Sequence, residues 1–201
     1  TLPLVIITIF SFIAILAIAL LFVGCGKSEE AKVEAKDAAK SEPVAKVENS
    51  LTFSSEAISG EGFTLSYVEA VKHNMQAGDK KYTAMIIQLA NYDRGEGSWH
   101  PNPKENGQYR VTVNFSAPSG QELKAGTYNV AGKMAEEFYL SVGIEGMVDG
   151  KTKTVGLYNG QGSGEIISID DKTISAKIDV KDEKGTTITA TFTTSYTKSQ
   201  F

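Results

Sequence analysis

Thr173-Ile-Ser-Ala-Lys-Ile-Asp-Val-Lys181 and Thr187-Ile-Thr-Ala-Thr-Phe-Thr193, joined by Asp182-Glu-Lys-Gly-Thr186, decide how this chain folds. In the first run Ile174, Ala176, Ile178 and Val180 alternate with Thr173, Ser175, Lys177, Asp179 and Lys181. In the second, Ile188, Ala190 and Phe192 alternate with Thr187, Thr189, Thr191 and Thr193. Successive side chains of a strand point to opposite faces, so a period of two marks a strand with one buried face. Two such runs around a short glycine-containing turn predict a β-hairpin.

Working back from the hairpin, weaker runs of the same texture lie at about 63–73, 82–90, 108–116, 126–131, 137–145, 152–159 and 164–170. Turn residues separate them: Ala77-Gly78-Asp79, Pro118-Ser119-Gly120, Asp149-Gly150 and Asp170-Asp171. Only Lys133 to Glu137 hints at a helical turn. About nine or ten short strands at even spacing predict an all-β domain, an antiparallel sandwich or meander barrel, over residues 51–201. No alternation of strands and helices suggests a parallel α/β sheet. About 150 residues can bury enough surface for one core without disulfides.

Ahead of this domain the composition changes twice. Leu2 to Val23 carries no charge and is almost wholly Leu, Ile, Val, Phe and Ala. A run of about 18 or more such residues can span a bilayer as a helix. Lys27 to Asn49 is the reverse, rich in Ala, Lys and Glu with isolated valines. Such a segment has little to bury, so residues 25–50 are expected to form a flexible tether, partly helical at most, with Pro43 ending any helix. A helix that binds a partner is the alternative for this segment.

Leu21-Phe22-Val23-Gly24-Cys25 resembles the lipobox of bacterial lipoproteins. The resemblance implies a signal peptide over residues 1–24, a diacylglycerol on the Cys25 thiol, and cleavage that leaves Cys25 as the first mature residue. It expects a short basic start ahead of Thr1. Cys25 is the single cysteine of the chain, at the one place this pathway needs it. The implied location is the cell envelope, lipid-anchored to the outer membrane or to the extracytoplasmic face of the plasma membrane. An uncleaved transmembrane helix is the competing reading. The closing stretch SGEIISIDDKTISAKIDVKDEKGTTITATF likewise resembles the last hairpins of envelope lipoproteins with a β-sandwich or calycin-like domain. That resemblance implies a fold and assigns no functional residue.

Charge and residue inventory then exclude several functions. The net charge of −4 and a pI near 5.3 leave no electrostatic footprint for nucleic acid. One cysteine excludes an internal disulfide, a CxxC redox motif and a multi-cysteine metal site. A histidine-based hydrolytic triad would have to use His73 or His100, the two histidines, and no GxSxG motif precedes a helix. The chain is therefore expected not to be an enzyme, with no cofactor and no metal. Gly156 to Gly164 lacks the Lys-Ser/Thr of a phosphate-binding loop and is expected to form a flexible turn. The threonines of 187–193 make one rank, too few for an ice-binding array, and threonine is common on exposed strands.

The loop Asn91 to Gly107, NYDRGEGSWHPNPKENG, is the most unusual stretch. It exceeds the usual hairpin length of about 2–5 residues. It holds the only tryptophan, Trp99, beside His100, with Tyr92 near its start. Long loops on rigid β scaffolds often carry binding function, so Tyr92, Trp99 and His100 are the candidate ligand-binding residues. Alternatively the loop packs over the domain with Trp99 as a plug. Asn91, Asp93 and Glu96 offer oxygens suited to calcium, in a spacing unlike an EF-hand. The expected function is a lipid-anchored envelope lipoprotein. Its non-enzymatic β domain would bind a protein or small-molecule partner or support the envelope. A lipocalin-like carrier of an apolar ligand and a carboxylate-dependent glycan hydrolase are the rivals.

Overall fold

A computed structural model describes residues 48–58, 63–93, 95, 102–157 and 160–199. The apolar segment, Cys25 and most of the tether lie outside the described residues, as do Trp99 and His100.

The deciding hairpin forms as its pattern requires. β9 (Thr173–Lys181) and β10 (Thr187–Lys198) pair antiparallel, with Ala176 opposite Phe192, Ile178 opposite Ala190 and Val180 opposite Ile188. Asp182 holds the turn between them. Its carboxylate accepts the Lys184 and Thr186 N–H groups at 2.9 and 2.8 Å. The Gly185 backbone takes φ +83° there, a conformation that L side chains avoid.

Eight further strands precede the hairpin: β1 (Ser50–Ser54), β2 (Tyr67–Ala77), β3 (Lys80–Ala90), β4 (Tyr109–Ser116), β5 (Gly126–Asn129), β6 (Tyr139–Val148), β7 (Lys151–Gly156) and β8 (Gln161–Ile169). The described domain is all β, an eight-strand closed barrel with two extra strands. Around the barrel the order is β10-β2-β3-β4-β6-β5-β8-β9, closed by β9 on β10. Two seams are parallel: Tyr196–Lys198 beside Ala70–Lys72, and the single bridge Asn129–Tyr139. The remaining pairings are antiparallel, but β4 on β6 and β5 on β8 join strands that are not consecutive in sequence, so the set departs from a simple meander there as well as at the parallel seams. The extra strands share an edge with a barrel strand at each seam. β1 lies on β10 beside Thr187–Thr191, ahead of the stretch that β2 takes, and β7 lies on β6 beyond β5.

The inward faces merge into one apolar core. Met85, Ile87, Leu89, Val111, Val113, Phe115, Leu140 and Ile144 meet Ile166, Ile174, Ile178, Ile188 and Phe192 from the opposite wall. Fully burying side chains of this size contributes about 1.5–3 kcal/mol each. Tyr128 stacks edge-on between Phe115 and Phe138, with ring centroids 5.1 and 5.2 Å away. Its hydroxyl donates to the Lys124 carbonyl at 2.9 Å, satisfying the one polar atom it carries inside. At one end Phe53 of β1 meets Phe63 and Tyr109, again edge-on.

Three features differ from the sequence reading. Strand β1 was not foreseen, because five residues with Leu51 and Phe53 are too short to show a period. The polar stretch Lys72–Gln76 continues β2 to the Gly78-Asp79 turn, so His73 lies within a strand rather than closing one. The glycine-rich segment is not simply a turn. Gly162 and Gly164 belong to β8, and a Cβ on them would stand 2.3 Å from the Asp179 carbonyl oxygen and 2.8 Å from the Phe115 ring. The hinted helical turn is present: the Glu136 and Glu137 N–H groups donate to the Lys133 carbonyl at 3.1 and 3.0 Å.

Candidate functional site

The 91–107 loop leaves the end of β3 and returns into β4, and its two ends are tied together by Asn91. The Asn91 side-chain amide donates to the Gly107 carbonyl at 2.8 Å. Its carbonyl oxygen accepts the Tyr109 N–H, also at 2.8 Å. That oxygen is thereby engaged in closing the loop base. On the return side the Gln108 side-chain carbonyl accepts the Lys104 and Glu105 N–H groups at 2.8 and 3.2 Å. Asn106 accepts the Gly150 N–H at 2.7 Å, which pins the loop to the β6–β7 turn. The loop base is thus built from side chains that imitate backbone turns.

Tyr92 stands at this base, half-buried. The charged groups that act on its phenol are Arg110 of β4 and Glu145 of β6. These two face each other directly across the strand pair, and their guanidinium and carboxylate meet at 2.5 Å. Their side chains are only 10 % and 20 % exposed, so water screens the attraction less than at an ordinary surface. Burial pushes the Tyr92 phenol up to about 12; Arg110 opposes that shift and Glu145 adds to it. At neutral pH Tyr92 is therefore a neutral hydroxyl, able to donate and to accept.

The same outward face continues across the register. Tyr67 of β2 pairs with Ala90, which pairs with Arg110, which pairs with Glu145. One step along, Glu69 pairs with Gln88, which pairs with Thr112. The Tyr67 hydroxyl donates to the Glu69 carboxylate. Gln88 is 3 % exposed and Arg110 9 %, low values for polar residues on the outward side of a sheet. Two phenols, an amide, a guanidinium and two carboxylates thus gather where the long loop is rooted.

His73 is not part of this group. It faces Ala84, six residues along β3 from the Ala90 row, roughly 20 Å away at the rise of a strand. Burial lowers its pKa, favouring the neutral ring. Tyr92 and His73 are therefore not brought together. Trp99 and His100 lie outside the described residues, as does Glu96 of the calcium alternative. Among the described residues no three of His, Cys, Asp and Glu are grouped to hold a metal.

Arg110, Glu145, Tyr67, Glu69 and Gln88 were not singled out from sequence. Arg110 and Glu145 are 35 residues apart, and only the register of β4 on β6 makes them neighbours. The available signal was a charged residue opening the otherwise neutral run YRVTVNFS.

Away from this group, a concavity of about 500 Å³ lies between Ser55–Ala57, Thr154–Leu157 and the β9–β10 turn. Its volume is in the range of about 300–1,000 Å³ common for ligand sites. No family model matches the chain, and no curated protein or solved structure matches it significantly.

Proposed function

We propose that this chain is a lipid-anchored lipoprotein of the bacterial cell envelope whose β domain binds a partner or ligand without catalysis. One observation carries the anchoring: the single cysteine, Cys25, follows Val23-Gly24 at the end of an uncharged apolar run. Two or more acyl chains hold a protein stably at a membrane, at about 0.8 kcal/mol per buried methylene. Metabolic labelling with an alkyne fatty-acid analogue tests it. Label should enter the wild type and be absent from Cys25→Ser; label retained by the variant rejects lipidation at Cys25.

The binding role rests on the loop base. Tyr92 stands half-buried beside the Arg110–Glu145 pair at the start of the loop that holds Trp99 and His100. Tryptophan combines a large apolar area with a directed N–H donor and is enriched in binding hot spots. As a surface contact, Trp99→Ala should leave stability within about 0.5 kcal/mol. As a plug the same change should cost about 3–5 kcal/mol, and a thermal melt separates the two.

The side chains in the barrel interior, Phe115, Tyr128, Phe192 and Met85 among them, favour partner binding over a lipocalin-like carrier. A glycan hydrolase would need two facing carboxylates in a cleft. The 500 Å³ cleft offers Glu56, Asp182 and Glu183, of which Asp182 is engaged by the N–H groups of its own turn.

A further inference from the structure

We infer that the outer edge of β7, where it borders the cleft beside Ser55–Ala57, receives an extended basic peptide as an added strand. This goes beyond the reading above and depends on neither Cys25 acylation nor Trp99.

The argument starts from the β6–β7 turn. Asp149 and Gly150 both have positive φ, 51° and 69°, the signature of a two-residue type I′ hairpin. Such a turn makes its flanking pair, Val148 and Lys151, a hydrogen-bonded one. Bonded and non-bonded pairs then alternate along the strands. Lys151, Lys153 and Val155 therefore direct their backbone groups to β6, and Thr152, Thr154 and Gly156 direct theirs away from it. Two bonds agree with this phase. Met147, opposite Thr152, exchanges its backbone groups with Gly107 and Gln108 on the other side of β6. The Leu157 N–H donates back to the Val142 carbonyl at 2.8 Å. Among the described residues no backbone group pairs with the outward side of Thr154 or Gly156.

An unpaired strand edge invites pairing with another chain, and proteins commonly block it with charged side chains, lysine above all. β7 does so over half its length. Lys151 and Lys153 guard the tip, whereas Thr154-Val155-Gly156-Leu157 carries no charge, and it is this half that borders the cleft. Val155, only partly buried, gives that side an apolar floor.

The opposite rim selects the occupant. It carries Glu56, Asp182 and Glu183 against Lys184 alone, three carboxylates to one ammonium. Backbone donors and acceptors at alternate residues fit an extended peptide, as in binding by strand addition. The negative rim fits basic side chains on that peptide.

The test uses the full chain in a non-ionic detergent and a fluorescein-labelled heptapeptide of alternating threonine and lysine, read by anisotropy. A second peptide of the same sequence is N-methylated at every residue, which keeps the charge and removes the donors of both edges. In the protein, Thr154→Pro deletes one outward N–H without touching the β6 ladder, a position where proline is tolerated. The unmodified peptide should bind the wild type, and the N-methylated peptide should bind at least tenfold more weakly. Thr154→Pro and the double variant Glu56→Lys with Glu183→Lys should each weaken the unmodified peptide by a similar factor. Equal binding of the two peptides would reduce the interaction to charge attraction and overturn the inference. So would failure of the unmodified peptide to bind. If Thr154→Pro does not fold, the peptide pair alone decides.

Discussion

Gly164 leaves open the space that the Phe115 ring fills: a Cβ at position 164 would lie 2.8 Å from Phe115 Cε1 and 2.9 Å from Ile178 Cγ2. β8 can approach the opposite wall of the barrel because its inward position there has no side chain. Adding a methyl to a packed core usually costs about 1–3 kcal/mol. Replacing glycine within a strand returns about 0.5–1 kcal/mol through the unfolded chain. Gly164→Ala should therefore destabilise by about 1–2 kcal/mol in urea unfolding. Adding Phe115→Leu, which relieves the contact, should cost less than the two single changes combined. Full additivity of the two would mean that the contact is not what limits position 164.

The Arg110–Glu145 pair gives a second test. Removing one partner of a fully buried pair costs roughly 3–5 kcal/mol, because the other charge is stranded. With side chains 10 % and 20 % exposed, Glu145→Gln is expected to cost somewhat less, about 2–3 kcal/mol. Replacing both by apolar residues, Arg110→Met with Glu145→Leu, should bring stability to within about 1 kcal/mol of wild type. A loss below about 0.5 kcal/mol for Glu145→Gln would class the pair with solvent-screened surface bridges.

Local chemistry explains which of these features sequence can carry. Alternation along 173–193 and the Asp149-Gly150 and Gly78-Asp79 turns are properties of neighbouring residues, and the corresponding strands lie where those signals place them. The parallel seams join Ala70–Lys72 to Tyr196–Lys198 and Asn129 to Tyr139, and nothing local to those segments announces the partner. The candidate site divides in the same way. Tyr92 stood out because it opens an unusually long loop. Glu145, Tyr67 and Glu69 come from other strands and become its neighbourhood only through register. Gly164 was read as turn-forming because a glycine that yields to a distant ring looks the same in sequence as one that bends the chain.

The start of the folded unit is a third prediction. Leu51 and Phe53 of β1 are buried, and Phe53 packs its ring on Phe63 and Tyr109. A fragment beginning at Glu48, just ahead of β1, should fold and give a β-dominated circular dichroism spectrum. One beginning at Ser55 should not. Each large core side chain lost costs about 2–5 kcal/mol, and two of them consume much of the roughly 5–15 kcal/mol that holds a domain folded. A cooperative melt from the Ser55 fragment would show β1 to be an accessory strand.

Tyr92 supplies the last prediction, through its titration. Its phenol is pushed up to about 12 by burial, against about 10 for a tyrosine in an unfolded chain. As pH rises between those values the unfolded chain gives up this proton while the folded one keeps it. The unfolded state then binds fewer protons, so stability must fall as pH rises from about 10 to about 12. Below pH 10 both states hold the proton and the contribution is constant. Tyr82, Tyr128 and Tyr196 are also raised by burial, so the wild-type slope is composite. The difference between wild type and Tyr92→Phe isolates one residue: the variant should lose stability less steeply across this window. Arg110 and Glu145 set the sign of a further check, since Glu145→Gln removes a charge that raises Tyr92 and should lower its titration point. Denaturant unfolding at several alkaline pH values, with tyrosinate absorbance followed in parallel, measures both. Identical pH slopes for wild type and Tyr92→Phe would place the phenol in water and remove it from the base of the loop.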